Sequence, residues 1–317
     1  MMAYIGIDVG GTNLVAGLVN DQGAILKKAS RPVDKSMSDR DLCRELASLA
    51  EEARLAGGLS REGIQAVGVG IPGLVDNKTG VVVMTANMPF RNTPLRELFQ
   101  REWDVPVYLG NDANCAALGE YWAGSAKGCS PTVMITLGTG IGGGMVVDGK
   151  LFTGFANSGM EVGHMVTRPG GLTCGCGNQG CWEQYGSATG LIRMTREAME
   201  QNPDSLLWQV CGGDLEKVQG RTPFQAAKEG DKTALEVLEA YRQELALGLI
   251  SLVNVLQPEV ICMGGGVSNA DDELLLTPLT ELVKKGSFDK TMPTRLVRAS
   301  LGNDAGVVGA ALLCNSL

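Results

Sequence analysis

Residues 133–152 read VMITLGTGIGGGMVVDGKLF. An apolar run at 133–137 meets a glycine loop at 138–144. A second apolar run ends at Asp148-Gly149 and a third begins at Lys150, which predicts strand, glycine loop, strand, turn, strand. Residues 138–143 satisfy the spacing G-x-G-x-x-G. A dinucleotide fingerprint, however, needs a helix after the loop and an acidic residue about 20 positions on, and here a hairpin follows. No Walker A motif is present either. What remains is a hairpin whose turn offers backbone N–H groups to an anion, with the Thr139 hydroxyl as a further donor; the other reading is a plain tight turn.

The N-terminus restates the pattern: a strand at 4–9, the loop Gly10-Gly11-Thr12-Asn13, a strand at 14–20, a turn at 21–23 and a third strand from Ala24. Aligning Asp8 with Thr136 places Gly10 on Gly138 and Asn20 on Asp148. Two copies of one architecture predict duplicated α/β domains facing one cleft. A third loop, Gly264-Gly265-Gly266, follows a strand at 260–263. Helices are expected at 39–56, 94–103, 113–123, 187–201, 204–218, 222–229, 232–256 and 305–314, with further strands at 66–69 and 105–109. Asp8 closes the first strand beside its loop. A carboxylate there suits a Mg²⁺ held through water, or else a loop cap.

Composition narrows the function. The chain has 317 residues, and 44 glycines are about twice the usual share, which points to loops that approach ligands. With 27 basic against 35 acidic residues the net charge is −8, which argues against a broad nucleic-acid or anionic-membrane surface. His164 is the one histidine, so an H-E-x-x-H metal hydrolase is excluded. The odd count of nine cysteines and the absence of a basic-then-apolar leader predict reduced thiols in the cytoplasm. The apolar stretch 245–256 is too short for a membrane span.

Downstream of E161-V-G-H164 comes C174-G-C176-G-N-Q-G-C181-W-E183. Three thiols in eight residues, with glycines between them, can wrap one ion, and His164 supplies a fourth ligand. Such a set is a closed tetrahedral structural Zn²⁺ site. Glu161 and Glu183 flank the cluster, where fixed carboxylates are good acceptors for the hydroxyls of a polyol or sugar. Elsewhere the strand 105–109 runs into G110-N111-D112-A113-N114 and a helix. Asp112 could cap that helix. Alternatively it is an acceptor at a strand end, able to take the proton of an attacking hydroxyl in phosphoryl transfer, with Asn87 and Asn111 as orienting amides.

Together these motifs resemble the ROK group of repressors and sugar kinases. The likeness rests on DVGGTN at 8–13, GVGIPGLVD at 68–76, NDAN at 111–114, LGTGIGGG at 137–144, EVGH at 161–164, CGCGNQGCWE at 174–183 and GGGVS at 264–268. It implies a two-domain ribonuclease H-like α/β fold, of the actin-like ATPase and sugar kinase type, with an interdomain cleft. A small domain at 1–115 would be completed by a C-terminal helix at about 303–317, and a larger domain at 116–302 would carry the zinc loop. The implied activity is Mg-ATP-dependent phosphorylation of a hexose with Asp112 as base. Gly73, Asn87, Asn111, Asp112, Glu161, His164 and Glu183 would hold the sugar. Asp8, Gly10, Gly11, Thr12, Asn13, Gly138, Thr139 and Gly140 would serve the phosphates and Mg²⁺, with Gly265 and Gly266 on the adenosine side. Zn²⁺ would be held by His164, Cys174, Cys176 and Cys181, with His164 also meeting a sugar hydroxyl. Glucose is the first choice of acceptor. N-acetylglucosamine, N-acetylmannosamine, mannose, fructose and a non-catalytic sugar-sensing role are the alternatives. The family also implies a homodimer or homotetramer. Its repressors carry a winged helix-turn-helix before the first glycine loop, and only seven residues precede Asp8 here, so no nucleic-acid partner is expected.

Overall fold

A computed structural model describes residues 2–85 and 87–317. The chain divides into two compact units. Unit 1 comprises Met1–Met134, Gly144–Met160 and Ala299–Leu317, and unit 2 comprises Ile135–Gly143 and Glu161–Arg298.

Unit 1 opens with an antiparallel meander, β1 (Ala3–Val9), β2 (Asn13–Asn20) and β3 (Ile25–Pro32). Helix α1 (Asp39–Ala56) follows. Ser38 caps it by accepting the Asp41 N–H, Asp39 and Asp41 suit the positive end of its dipole, and Gly57 ends it. Its Leu42, Leu46, Leu49, Ala50 and Ala53 recur at helical spacing and all lie in the core. Strand β4 (Ile64–Ile71) then runs parallel to β1.

Next comes a small antiparallel sheet that the sequence pattern did not predict, β5 (Gly73–Asp76), β6 (Val81–Thr85) and β7 (Arg91–Thr93). The turn between its first two strands is made by Asp76. Its carboxylate accepts Lys78 N–H at 2.9 Å and the Thr79 hydroxyl at 2.8 Å, while its carbonyl accepts Gly80 N–H at 2.9 Å. Helix α2 (Leu95–Glu102), strand β8 (Val107–Asn111) and helix α3 (Asp112–Ala123) complete the N-terminal part. The main sheet has the order β3-β2-β1-β4-β8. Because β1, β4 and β8 are parallel, Asp8, Gly70 and Asn111 emerge at one edge, the carboxyl ends of the strands where open α/β sheets bind ligands.

The chain then passes along β9 (Thr132–Leu137) and back along β10 (Ile141–Val147) to the short β11 (Lys150–Leu151), the hairpin expected from 133–152. Unit 2 continues with α4 (Glu183–Gly186), α5 (Ala188–Gln201), α6 (Leu206–Val210), α7 (Thr222–Lys228), α8 (Lys232–Leu256), β12 (Val260–Gly264), α9 (Leu276–Gly286) and β13 (Arg295–Arg298). The second sheet has the order β11-β10-β9-β12-β13. A continuous helix over 204–218 does not form. It breaks after α6 because Gly212 and Gly213 take left-handed φ of 66° and 75°. The long α8 buries Val237, Leu238, Tyr241, Leu245, Leu249 and Leu252 along one side. No helix among the described residues is long and apolar enough to cross a membrane.

The C-terminal helix α10 (Ala305–Ala311) is shorter than the 305–314 expected, and a 3₁₀ turn at Leu313–Asn315 follows it. It packs in unit 1 on α3, β1 and β4. Unit 1 therefore takes in α3 and residues as far as Met134, as well as the C-terminus.

Candidate active site

Unit 1 carries a pair of carboxyls. Asp8 is the penultimate residue of β1, and Asp112 is the first residue of α3. Burial and the nearby Asp112 charge push the Asp8 carboxyl up to about 6. Burial raises Asp112 as well, against hydrogen bonds that lower it from the Ala113 N–H, from its own N–H and from Asn111. Among the described residues no cationic side chain offsets the charge of either carboxyl, so the pair concentrates negative charge. The cap of α3 is Asn111 rather than Asp112. Its Oδ1 accepts Ala113 N–H at 2.9 Å and Asn114 N–H at 3.2 Å, and its Nδ2 donates to Gly73 O at 3.2 Å. Asn111 thus fixes the start of the helix to Gly73. Asp112 Oδ1 accepts the Ala113 N–H at 2.9 Å.

The first glycine loop is a tight turn in which Gly10 N–H donates to Asn13 O at 2.9 Å, and Gly11, Thr12 and Asn13 are exposed. Thr12 O takes the Val33 N–H at 2.8 Å, and its hydroxyl accepts from Asn13 Nδ2 at 3.4 Å. Asn87 is exposed in the segment after β6.

Unit 2 carries the second glycine loop. Gly138 N–H closes on Gly140 O at 3.0 Å, while Gly138 O accepts Ala188 N–H at 2.9 Å and Thr139 O accepts the Thr189 hydroxyl at 2.7 Å. The start of α5 therefore ties down the loop carbonyls. Gly265 has φ +87°, and a Cβ there would come 2.4 Å from Leu137 O, so the third loop lies directly on the end of β9. Gly138, Thr139 and Gly266 line a cavity of about 560 Å³. Its other walls come from Gln219, Arg221, Phe224, Gln225 and Lys228 on and before α7, and from Val267, Asn269, Ala270 and Asp271 after β12. Volume, apolar walls and a few polar groups suit a nucleotide-sized ligand. The α7 wall escaped sequence reading because it carries no glycine motif, only an ordinary amphipathic helix.

His164, Cys174, Cys176 and Cys181 come together in the same unit, their ligand atoms all within 4.8 Å of one another. Cys176 Sγ and Cys181 Sγ are 3.6 Å apart, and Cys174 Sγ is 3.7 Å from His164 Nδ1. A tetrahedral ion about 2.3 Å from each sulfur needs edges near 3.8 Å, so the donors fit one metal ion. The Asn178 N–H lowers the Cys176 thiol, favouring the thiolate a metal requires, whereas burial raises Cys181 to about 12 in the absence of a cation. The loop is anchored independently of any metal: Arg168 pairs with the buried Glu244 of α8 and stacks on the Tyr185 ring, whose hydroxyl accepts Leu172 N–H at 2.7 Å.

Glu183 joins the metal cluster to the glycine loop. Its Oε1 is 3.9 Å from Cys174 Sγ, and its Oε2 accepts Ile141 N–H at 3.0 Å directly beneath Gly140. Glu161 is exposed and begins the 3₁₀ turn that ends in His164.

A mixed-sheet α/β fold with phosphate-type glycine loops, a strand-end carboxyl pair and a Cys₃His cluster defines the sugar kinase branch of the actin-like ATPases. The ROK family pattern matches residues 4–316, and the chain belongs to that family. It is 37% identical over 316 residues to the glucokinase of Thermotoga maritima, covering 98% of this chain and 96% of that one. Its fold is similar to the ROK family glucokinase of Streptomyces griseus solved with glucose and AMPPNP, with TM-score 0.82, 33% identity and 98% of both chains covered. It is also similar to the ROK hexokinase of Thermus thermophilus, with TM-score 0.83, 33% identity and coverage of 98% and 97%.

Proposed function

We propose that this protein is an ATP-dependent hexose kinase that converts glucose to glucose 6-phosphate. The observation that carries the reading is Asp112, a buried carboxyl of raised pKa just beyond the carboxyl end of β8, held in place by the Ala113 N–H. Burial makes such a group more basic than an ordinary carboxylate, which suits a general base. The 6-hydroxyl gives its proton to Asp112 as its oxygen bonds to the γ-phosphorus of ATP, and the bond to the β-phosphate oxygen breaks to release ADP.

Gly73, Asn87, Asn111, Glu161, His164 and Glu183 hold the sugar. Gly10, Gly11, Thr12, Asn13, Gly138, Thr139 and Gly140 meet the phosphates, and Gly265 and Gly266 border the adenosine. The unbalanced charge of Asp8 and Asp112 supports Asp8 as the carboxylate that holds Mg²⁺, and Mg²⁺ supplies charge neutralisation on the phosphates. The Cys₃His cluster is a structural Zn²⁺ site, closed to water. An odd count of nine cysteines suits the reducing cytoplasm, and net charge −8 supports small-molecule rather than nucleic-acid partners. The relatives' names support glucose as the acceptor.

The test is a coupled ADP assay of the purified protein over glucose, mannose, fructose, N-acetylglucosamine and N-acetylmannosamine. The highest kcat/KM is expected for glucose. Sugar binding with no sugar-dependent ADP would replace the kinase with a sensor.

A further inference from the structure

Glu120, near the end of α3, has no exposed surface. Its Oε2 accepts Ser125 N–H at 2.8 Å, the Ser125 hydroxyl at 3.0 Å, Ser300 N–H at 3.1 Å and the Ser300 hydroxyl at 3.3 Å, and its Oε1 accepts Leu301 N–H at 2.7 Å. Two serines thus each give both an N–H and an O–H to one oxygen. A carboxylate is costly to bury, and a full set of donors is what offsets that cost. Glu120 has no part in the chemistry proposed above.

What it joins gives it a role. Ser300 and Leu301 lead through the 3₁₀ turn Gly302–Asp304 into α10. Helix α10 lies on α3 backbone against backbone. A Cβ at Gly119 would come 2.2 Å from Ala305 O, and one at Gly309 would come 1.7 Å from Cys115 O. A seam of this kind has few interlocking side chains to stop one helix sliding on the other, so polar bonds must fix their relative position. The same two helices support both reactive carboxyls. Asp112 begins α3, and Gly306 of α10 backs the other carboxyl so closely that a Cβ there would lie 2.9 Å from Asp8 Cγ.

We infer that Glu120 is a positioning residue for the kinase reaction: its carboxylate locks α10 onto α3 and so sets Asp8 relative to Asp112. The inference rests on the kinase reading, and the two fail differently. Wild-type protein without sugar-dependent ADP formation sinks the reading before any variant is made.

Glu120→Gln keeps the side-chain shape but turns an amide NH₂ toward N–H donors. In the full-length protein we expect kcat per folded molecule to fall about 10-fold or more. The Mg²⁺ concentration for half-maximal rate should rise severalfold, while affinity for metal-free ADP, measured by calorimetry, stays within about twofold. A merely structural glutamate would lower the unfolding midpoint and leave kcat per folded molecule within about twofold, and that result overturns the inference. Should Glu120→Gln prove insoluble, the double variant Ser125→Ala/Ser300→Ala takes its place. It removes two hydroxyl donors and leaves three N–H donors in position. A fall in its kcat of about threefold or more supports the assignment, and an unchanged kcat rejects it.

Discussion

The Asp112 carboxylate raises the pKa of Asp8: burial and this one negative neighbour bring the Asp8 carboxyl to about 6. The two residues come from different elements, a strand end and a helix start, and the parallel pairing of β1, β4 and β8 brings them to one edge. Their mutual repulsion is a property the site can be asked about directly.

The first expectation concerns stability. Asp8 has a folded pKa above its unfolded value, so its contribution favours the fold at low pH and is lost as pH rises from about 4 through about 6. Asp8→Asn should therefore raise the unfolding free energy at pH 7.5, by on the order of 1 to 2 kcal/mol, and give no gain at pH 4. Denaturant titrations of both proteins at the two pH values check this. A gain of equal size at both would show that the carboxyl is not the cause.

Asp112→Asn should cost on the order of 10² to 10⁴ in kcat with little change in the KM for sugar, because the interaction lost is one made in proton transfer. It should also lower the Asp8 pKa by removing its negative neighbour. In the wild type kcat/KM for Mg-ATP should fall as pH drops through about 6, the value to which Asp8 is raised. Added Mg²⁺ should move that limb to lower pH, since metal competes with the proton. Near-normal turnover of the folded asparagine variant would remove Asp112 from the role of base.

Metal removal should reach the sugar through Glu183, which stands 3.9 Å from Cys174 Sγ, and through His164. Chelation, or Cys176→Ser, is expected to release Zn²⁺ measurable by atomic absorption and to raise the KM for glucose roughly 10- to 100-fold. Glucose affinity that survives verified zinc loss would mean that the loop is held by Arg168 and Glu244 alone.

Gly265→Ala places a side chain on a left-handed residue, φ +87°, and against the Leu137 carbonyl at 2.4 Å. We expect a loss of about 2 kcal/mol or more in stability and a clear fall in AMPPNP affinity. Glucose binding, followed by calorimetry, should persist. Gly266→Ala, where a Cβ would meet nothing within 4 Å, is the matched control for stability.

Much of the site was legible because its chemistry is local in the chain. The four residues of the candidate metal cluster lie within residues 164–181, and both hairpin loops announce themselves by glycines between β-branched runs. Of the two readings of Asp112, the N-cap one fails by one residue, since Asn111 and Asp112 both suit the position and only the backbone geometry decides. The three-stranded sheet was missed because strands of three to five residues carry too little periodicity, although the Asp76 turn was a usable sign. The nucleotide-sized cavity depends on Phe224 and Lys228, which are distant in sequence from the glycines that line it and carry no pattern of their own. Glu120 gave no sign at all, as a single glutamate in a helix reads as a solvated charge until its five donors are seen.

The last helix has a consequence for the order of synthesis. Strand β1 leaves the ribosome well before α10, yet the glycine faces of β1 and β4 are covered by α10: a Cβ at Gly6 would lie 1.9 Å from Val307 O, and one at Gly68 would lie 1.7 Å from Ala310 O. The N-terminal unit must therefore wait, incomplete, for on the order of tens of seconds while the intervening residues are translated. The unit that holds β1 is finished only by α10, and a nascent chain stalled before α10 presents an uncovered sheet to whatever chaperone meets it.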